Sequence, residues 1–390
     1  MSANLIHDLT PTKPDYEGAS IVNLMRSIGD ALGAPTNGYE PLHQLDAAYL
    51  HERRVIMLVI DGLGVELLKH LSPDGPFTSA LVGEMTSVYP PTTAAAITTL
   101  LSGVAPQQHA LAGWFVRFPE IDTVSAVLPF VPRGPGIMPR RIDELLDTPS
   151  FFAKIARDSA MLQPQALAHS EFSRLLGANA ARLGYADLDD LCTQLTQIIC
   201  GRPNFSYTYA YWPMLDTLAH RFGPASREVA DHFHALETAI GELVEQVEGS
   251  GTTLLITADH GFIESGEDER VDISQHPELA ACLREPLSGE PRSAYCVFEN
   301  NQIEQGVQYL EDVLADKITA MPSGDLIDQQ WFGLGQPHPA LRERLGDFTL
   351  QMKGRYTVRD LVPGERDMQF AGMHGGLTRA EQMVPLIVAA

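Results

Sequence analysis

Residues 53–64, RRVIMLVIDGLG, form a continuous apolar run closed by Asp61, Gly62 and Gly64. A strand buried on both faces reads this way, because a parallel sheet is covered by helices above and below and leaves no polar alternation. Residues 251–262, GTTLLITADHGF, repeat the form: a β-branched apolar run, then Asp259, His260 and Gly261. Between the two lie stretches such as residues 227–249, REVADHFHALETAIGELVEQVEG, whose apolar positions recur at helical spacing. Strands alternating with helices predict an α/β fold with a mainly parallel sheet. In open sheets of this kind ligands bind beyond the carboxyl ends of the strands, so Asp61 and the Asp259–His260 pair are expected on one edge.

The chain has 390 residues, 44% hydrophobic and 20% charged, enough to bury a large core. Its formal charge of −23, from 27 basic and 50 acidic residues, argues against electrostatic capture of a nucleic-acid polymer or an anionic membrane. A phosphate substrate then needs local positive charge, which bound cations would supply. No apolar run is long enough for an ordinary membrane span. The opening MSANLIHDLTPTKPDYEG lacks the basic and apolar regions of a secretory signal, so the expected location is cytoplasmic. Cys192, Cys200, Cys282 and Cys296 are scattered without CxxC spacing and are expected as free thiols.

Residues 1–50 read as a lead-in carrying one helix, IVNLMRSIGDAL. Residues 263–365, rich in Gly, Pro and charge, read as an inserted cap, with residues 1–262 and 366–390 as the α/β core. Residues 112–136, AGWFVRFPEIDTVSAVLPFVPRGPG, read as a second, loop-rich insertion whose aromatics wall a pocket or pack inward. The late run VPLIV reads as a core strand.

Residues 87–103, SVYPPTTAAAITTLLSG, place Thr92 and Thr93 after two prolines at the start of a small-residue helix. Threonine there serves either as a cap or as a nucleophile beside backbone N–H groups that favour phosphate. In residues 211–224, YWPMLDTLAHRFGP, Asp216 and His220 are spaced i, i+4 and share one face of a helix. Residues 370–388, FAGMHGGLTRAEQMVPLIV, add His374 before a glycine pair. Three aspartates and three histidines in turns or at strand ends suit two divalent ions with mixed nitrogen and oxygen ligands, zinc being the natural choice and manganese or iron compatible. Two metals flanking a phosphoryl group would activate a nucleophile with no Ser-His-Asp arrangement.

The blocks VIDGLG, PPTTAAAITTLLSG, MLDTLAHRFGP, TADHG and MHGG, in that order from about residue 55 to the C-terminus, resemble the alkaline phosphatase superfamily and its nucleotide pyrophosphatase/phosphodiesterase branch. The resemblance implies an alkaline phosphatase-like core, its mainly parallel sheet sandwiched by helices, with an inserted cap. It implies one metal held by Asp61, Thr93, Asp259 and His260, another by Asp216, His220 and His374, and a covalent phosphothreonine intermediate. Anchored on TTLLSG, its register puts the nucleophile on Thr93 and leaves Thr92 as the cap. The expected activity is hydrolysis of small-molecule phosphodiesters or pyrophosphates.

Two departures bear on the substrate. The aromatic that usually follows the nucleophile in nucleotide-cleaving members is Ala94 here, and Trp114 stands where an asparagine near the phosphate is expected. Arg140, Arg141 and Arg292 are alternative phosphate contacts. The same site would also serve a phosphomonoesterase or a phosphonate or sulfate ester hydrolase. A non-catalytic metal-binding homologue or a mutase is the competing class, but all seven expected ligand positions hold competent residues.

Overall fold

A computed structural model describes residues 7–155 and 157–390. Its main sheet has seven strands, in the order Leu81–Thr86, Met383–Ala389, Thr252–Thr257, Arg54–Ile60, Tyr207–Trp212, Ser159–Pro164 and Ala181–Tyr185. Only Met383–Ala389 runs against the rest; the five strands from Thr252–Thr257 to Ala181–Tyr185 pair in parallel. The apolar run of Arg54–Ile60 is buried from its second residue onward, and Thr252–Thr257 and Tyr207–Trp212 are buried throughout. Val59 pairs with Tyr211 on one side and Thr257 on the other. That register ends three adjacent strands together; the turns after two of them carry Asp61 and Asp259, and the helix after the third, Met214–Phe222, carries Asp216.

Helices cover both faces. Ile21–Leu32 spans the periodic stretch expected from the sequence; Ser20 begins it with its N–H on the Asn23 side chain, and Gly33 ends it at φ 77°. Arg227–Gln246 buries Val229, Phe233, Leu236, Ile240 and Leu243 along one stripe. The four cysteines are free. Among the described residues no helix is long and apolar enough to cross a membrane.

A second seven-stranded sheet, with antiparallel pairing throughout, runs Ile318–Pro322, Phe348–Met352, Ser293–Cys296, Ser288–Glu290, Phe115–Phe118, Thr123–Ala126 and Val131–Pro132. The stretch 112–136, read from the sequence as loop-rich, therefore supplies three short strands. It meets the later segment where Gly289 pairs with Phe115. A Cβ on Gly113 would stand 2.7 Å from the Gly289 Cα, and Gly289 has φ 86°, so the junction depends on glycine on both chains.

Arg292 ties this sheet to the core. Its guanidinium is fully buried and grips the Glu381 carboxylate with two bonds of 3.0 and 2.8 Å, while Nη1 donates to the Tyr356 carbonyl at 2.6 Å. The backbone N–H of Gly376 and the Thr378 hydroxyl also donate to Glu381. The pair holds the Glu381 carboxyl below its ordinary range, Arg292 opposing the cost of burial. Removing one partner strands the other charge in the interior, so Arg292→Met is expected to lower unfolding stability by about 3–5 kcal/mol. The urea midpoint reads this, and a shift below about 1 kcal/mol would show that the pair does not hold the two sheets together.

Candidate active site

The turn after Arg54–Ile60 presents Asp61. One of its carboxylate oxygens, Oδ2, accepts a hydrogen bond from the Tyr211 hydroxyl on the neighbouring strand. The other, Oδ1, is buried without a partner. Asp259 repeats the arrangement: Oδ1 accepts from the backbone N–H of Gly62 at 3.1 Å and of His260 at 3.0 Å, and Oδ2 is buried without a partner. Asp216, in the helix Met214–Phe222, also buries an unpartnered Oδ1. An uncompensated carboxylate oxygen is costly to bury, and here three converge on one region.

The histidines complete the pattern. The Nδ1 of His220 lies 2.8 Å from the Gly372 carbonyl, that of His260 3.0 Å from the Gly261 carbonyl, and that of His374 3.2 Å from the Pro91 carbonyl. A carbonyl only accepts, so each Nδ1 carries the proton and each Nε2 presents a lone pair. Those lone pairs face one another and the carboxylates. His220 Nε2 is 3.1 Å from His374 Nε2 and 3.4 Å from Asp216 Oδ1. His260 Nε2 is 3.3 Å from Asp61 Oδ1 and 3.6 Å from Asp259 Oδ2. The His260 and His374 rings stack with centroids 3.6 Å apart, which sets the two groups side by side.

Acceptors gathered this closely repel unless cations lie among them. Asp61, Asp259 and His260 form one group, and Asp216, His220 and His374 another, with candidate ligand atoms in each within 4.8 Å of one another. Backbone carbonyls that orient ligating imidazoles are what metal centres use to fix the tautomer. The residues present therefore fit two mixed nitrogen and oxygen sites. Without cations, burial raises the Asp61 carboxyl well above its ordinary range, with the charges of Asp216 and Asp259 adding to the effect and the Tyr211 bond opposing it. Burial, then the charges of Asp259 and Glu290, does the same to Asp216. Burial lowers His220 to about 4, and burial with the neighbouring imidazoles pushes His374 well below its usual value.

Thr93 opens the helix Thr93–Ser102, its hydroxyl oxygen 3.2 Å from His260 Nε2. Thr92 occupies the N-cap position by backbone, at φ −144° and ψ 150°, but makes no side-chain cap bond. Its hydroxyl instead donates to Glu290 Oε1 at 2.5 Å, so the capping role expected of that side chain is replaced by a bond to the second sheet.

A cavity of about 420 Å³ opens over these residues. Thr92, Thr93, Asp216, His220 and His374 line its floor, with Trp114, Glu290 and Phe370 among its walls. Trp114, 37% exposed, lines the cavity, and its backbone N–H donates to Glu290 Oε1 at 2.6 Å. Arg292 is committed to Glu381 and does not line the cavity, and neither do Arg140 and Arg141, which are exposed; Arg141 pairs with Asp143. Sequence reading missed Tyr211 and Glu290. The first sits in an aromatic strand whose alternate side chains gave no polar signal, and the second in the turn-like PLSGEPRS.

The sequence model of the type I phosphodiesterase/nucleotide pyrophosphatase family matches residues 55–128 and 141–377. The chain belongs to that family and is a phosphodiesterase/nucleotide pyrophosphatase-like hydrolase. Murine ectonucleotide pyrophosphatase/phosphodiesterase 5 superposes with a TM-score of 0.66 at 12% identity, covering 86% of this chain and 87% of that one. An inactive threonine-to-alanine variant of the murine protein, in complex with AMP, gives 0.67 at 12% identity over the same shares. The human protein gives 0.66 at 12% identity, over 86% and 88%. At this identity the likeness is one of fold. No curated protein matches the chain in sequence.

Proposed function

We propose that the protein hydrolyses phosphodiester or pyrophosphate bonds of small molecules, with Thr93 as nucleophile and two divalent ions held by its aspartates and histidines. Asp61, Asp259, His260 and the Thr93 oxygen would hold one, and Asp216, His220 and His374 the other. Bound there, the ions supply Lewis acidity and neutralise charge on the phosphoryl group. Zinc suits three imidazoles best, with manganese or iron compatible. The observation that carries the reading is the convergence of three Nε2 lone pairs and three unpartnered carboxylate oxygens beside the Thr93 hydroxyl.

In this reading the Thr93 oxygen forms a bond to phosphorus as the bond to the leaving ester oxygen breaks. Water then cleaves the phosphothreonine, releasing a phosphomonoester and restoring the hydroxyl. The N-terminal N–H groups of Thr93–Ser102, free of intrahelical partners, face the anion. Trp114 offers an aromatic wall for the substrate, in place of the aromatic that Ala94 does not supply. Residues 263–365 act as the cap, contributing Leu287, Glu290 and Leu361 to the cavity. A cavity of this size suits a nucleotide-sized ester, consistent with the AMP bound to the murine relative.

The test compares kcat/KM for bis(p-nitrophenyl) phosphate and p-nitrophenyl phosphate in zinc-loaded protein. The diester is expected to be the better substrate by at least about tenfold, roughly 1.4 kcal/mol in transition-state stabilisation. Faster monoester cleavage would move the protein to the phosphatase side of the superfamily.

A further inference from the structure

Glu290 enters the cavity from the second sheet, and the chemistry above gives it no part. It ends the strand Ser288–Glu290, is 7% exposed and lines the same cavity as Thr93. Its Oε1 accepts both the Thr92 hydroxyl, at 2.5 Å, and the backbone N–H of Trp114, at 2.6 Å. Among the described residues no donor is bonded to Oε2, and no cation pairs with the carboxylate. Of the arginines at the cavity, Arg133 pairs with Glu365, Arg270 with Asp367, and Arg359 with Asp272 and Asp367, while Arg366 lines the cavity without an ion pair to Glu290; Arg292, behind it, is held by Glu381. Two hydrogen bonds thus hold a buried carboxylate one residue from the proposed nucleophile, with no cation paired to it among the described residues. Such a group costs stability, and a neutral glutamine would accept the same two bonds.

A phosphodiester carries one negative charge. A phosphomonoester above neutral pH carries two, and so does the phosphomonoester that diester hydrolysis releases. From this placement we infer that Glu290 is a specificity-determining residue, its charge disfavouring doubly charged phosphates both as substrates and as retained products. The inference rests on the proposed function for the position of the phosphate, which would lie next to Thr93 and therefore next to the Thr92–Glu290 bond. Glu290 belongs to neither of the two metal-binding groups and reaches the cavity from the second sheet.

The experiment compares metal-loaded wild type, Glu290→Gln and Glu290→Asp at pH 9, above the value of about 7 to which burial raises the carboxyl against the bonds from Thr92 and Trp114. It measures kcat/KM for bis(p-nitrophenyl) phosphate and p-nitrophenyl phosphate, and the affinity for inorganic phosphate by calorimetry. Glu290→Gln is expected to lower the diester-to-monoester ratio by at least about tenfold and to tighten phosphate binding by a similar factor, as removal of a unit charge from a water-poor pocket should. Glu290→Asp, which keeps the charge, is expected to hold both within about threefold of wild type. The inference is overturned if Glu290→Gln leaves the ratio and phosphate binding unchanged. It is equally overturned if Glu290→Asp loses the preference as fully as Glu290→Gln, which would assign the effect to shape. If wild type turns over neither ester, the proposed function fails, and phosphate calorimetry still reads the effect of Glu290.

Discussion

Thr93→Ala is expected to lower kcat for diester hydrolysis by at least about 10⁴-fold, because in the proposed reaction its hydroxyl forms the covalent intermediate and alanine has nothing to replace it. The folded protein should be unaffected. Thr93 is the first residue of its helix, alanine has the higher helix propensity, and among the described residues the hydroxyl has one hydrogen-bond partner, the His260 ring nitrogen. The control is Thr92→Val, which removes the bond to Glu290 and retains the proposed nucleophile; it should cost about tenfold or less, the scale of one lost hydrogen bond. Burst kinetics and trapping of a phosphorylated peptide would locate the covalent bond. Full activity in Thr93→Ala, with label trapped on Thr92, would reverse the assignment of the two threonines.

Withdrawal of metal should have an effect of similar size on turnover and a second effect on stability. Dialysis against a chelator is expected to reduce hydrolysis by at least about 10³-fold, with recovery on adding zinc, since the groups gathered beside Thr93 are otherwise carboxylates and neutral imidazoles. The same treatment should lower the melting temperature, because the carboxylates of Asp61, Asp216 and Asp259 then face one another uncompensated. A metal present at a thousandfold excess over its Kd contributes about 4 kcal/mol to the folded state, and chelation removes that term. Undiminished activity and an unmoved melting temperature in protein shown to be metal-free would sink the two-metal reading.

The core was legible because its physics is local. A strand buried on both faces must be apolar along its whole length, so Arg54–Ile60 and Thr252–Thr257 stood out, and the acids that end them stood out with them. Asp216 and His220 were visible through helical spacing alone. The strands at residues 115–132 were not, since segments of four, four and two residues are too short to show alternation and one of their partners lies more than 150 residues away. Arg292 looked like a surface or phosphate-binding arginine because its partner, Glu381, is 89 residues on and nothing nearby marks it as buried. Thr92 illustrates the same limit at short range: local rules place it correctly at the N-cap, but only the folded second sheet reveals where its hydroxyl is bonded.

The Arg292–Glu381 pair has a bearing on traffic. Glu381 also receives the Gly376 N–H, two residues from His374, so the second sheet and the histidine turn are fastened to a single carboxylate. Swinging that sheet away to admit a substrate would break a buried ion pair, and at about 3–5 kcal/mol fewer than one molecule in roughly a hundred would be open at any instant. A phosphate ester would then come and go through the standing mouth of the cavity, past Trp114 and Met368, which line it and are exposed. Turnover should then respond to bulk added at this doorway far more than to changes that weaken the Arg292–Glu381 pair.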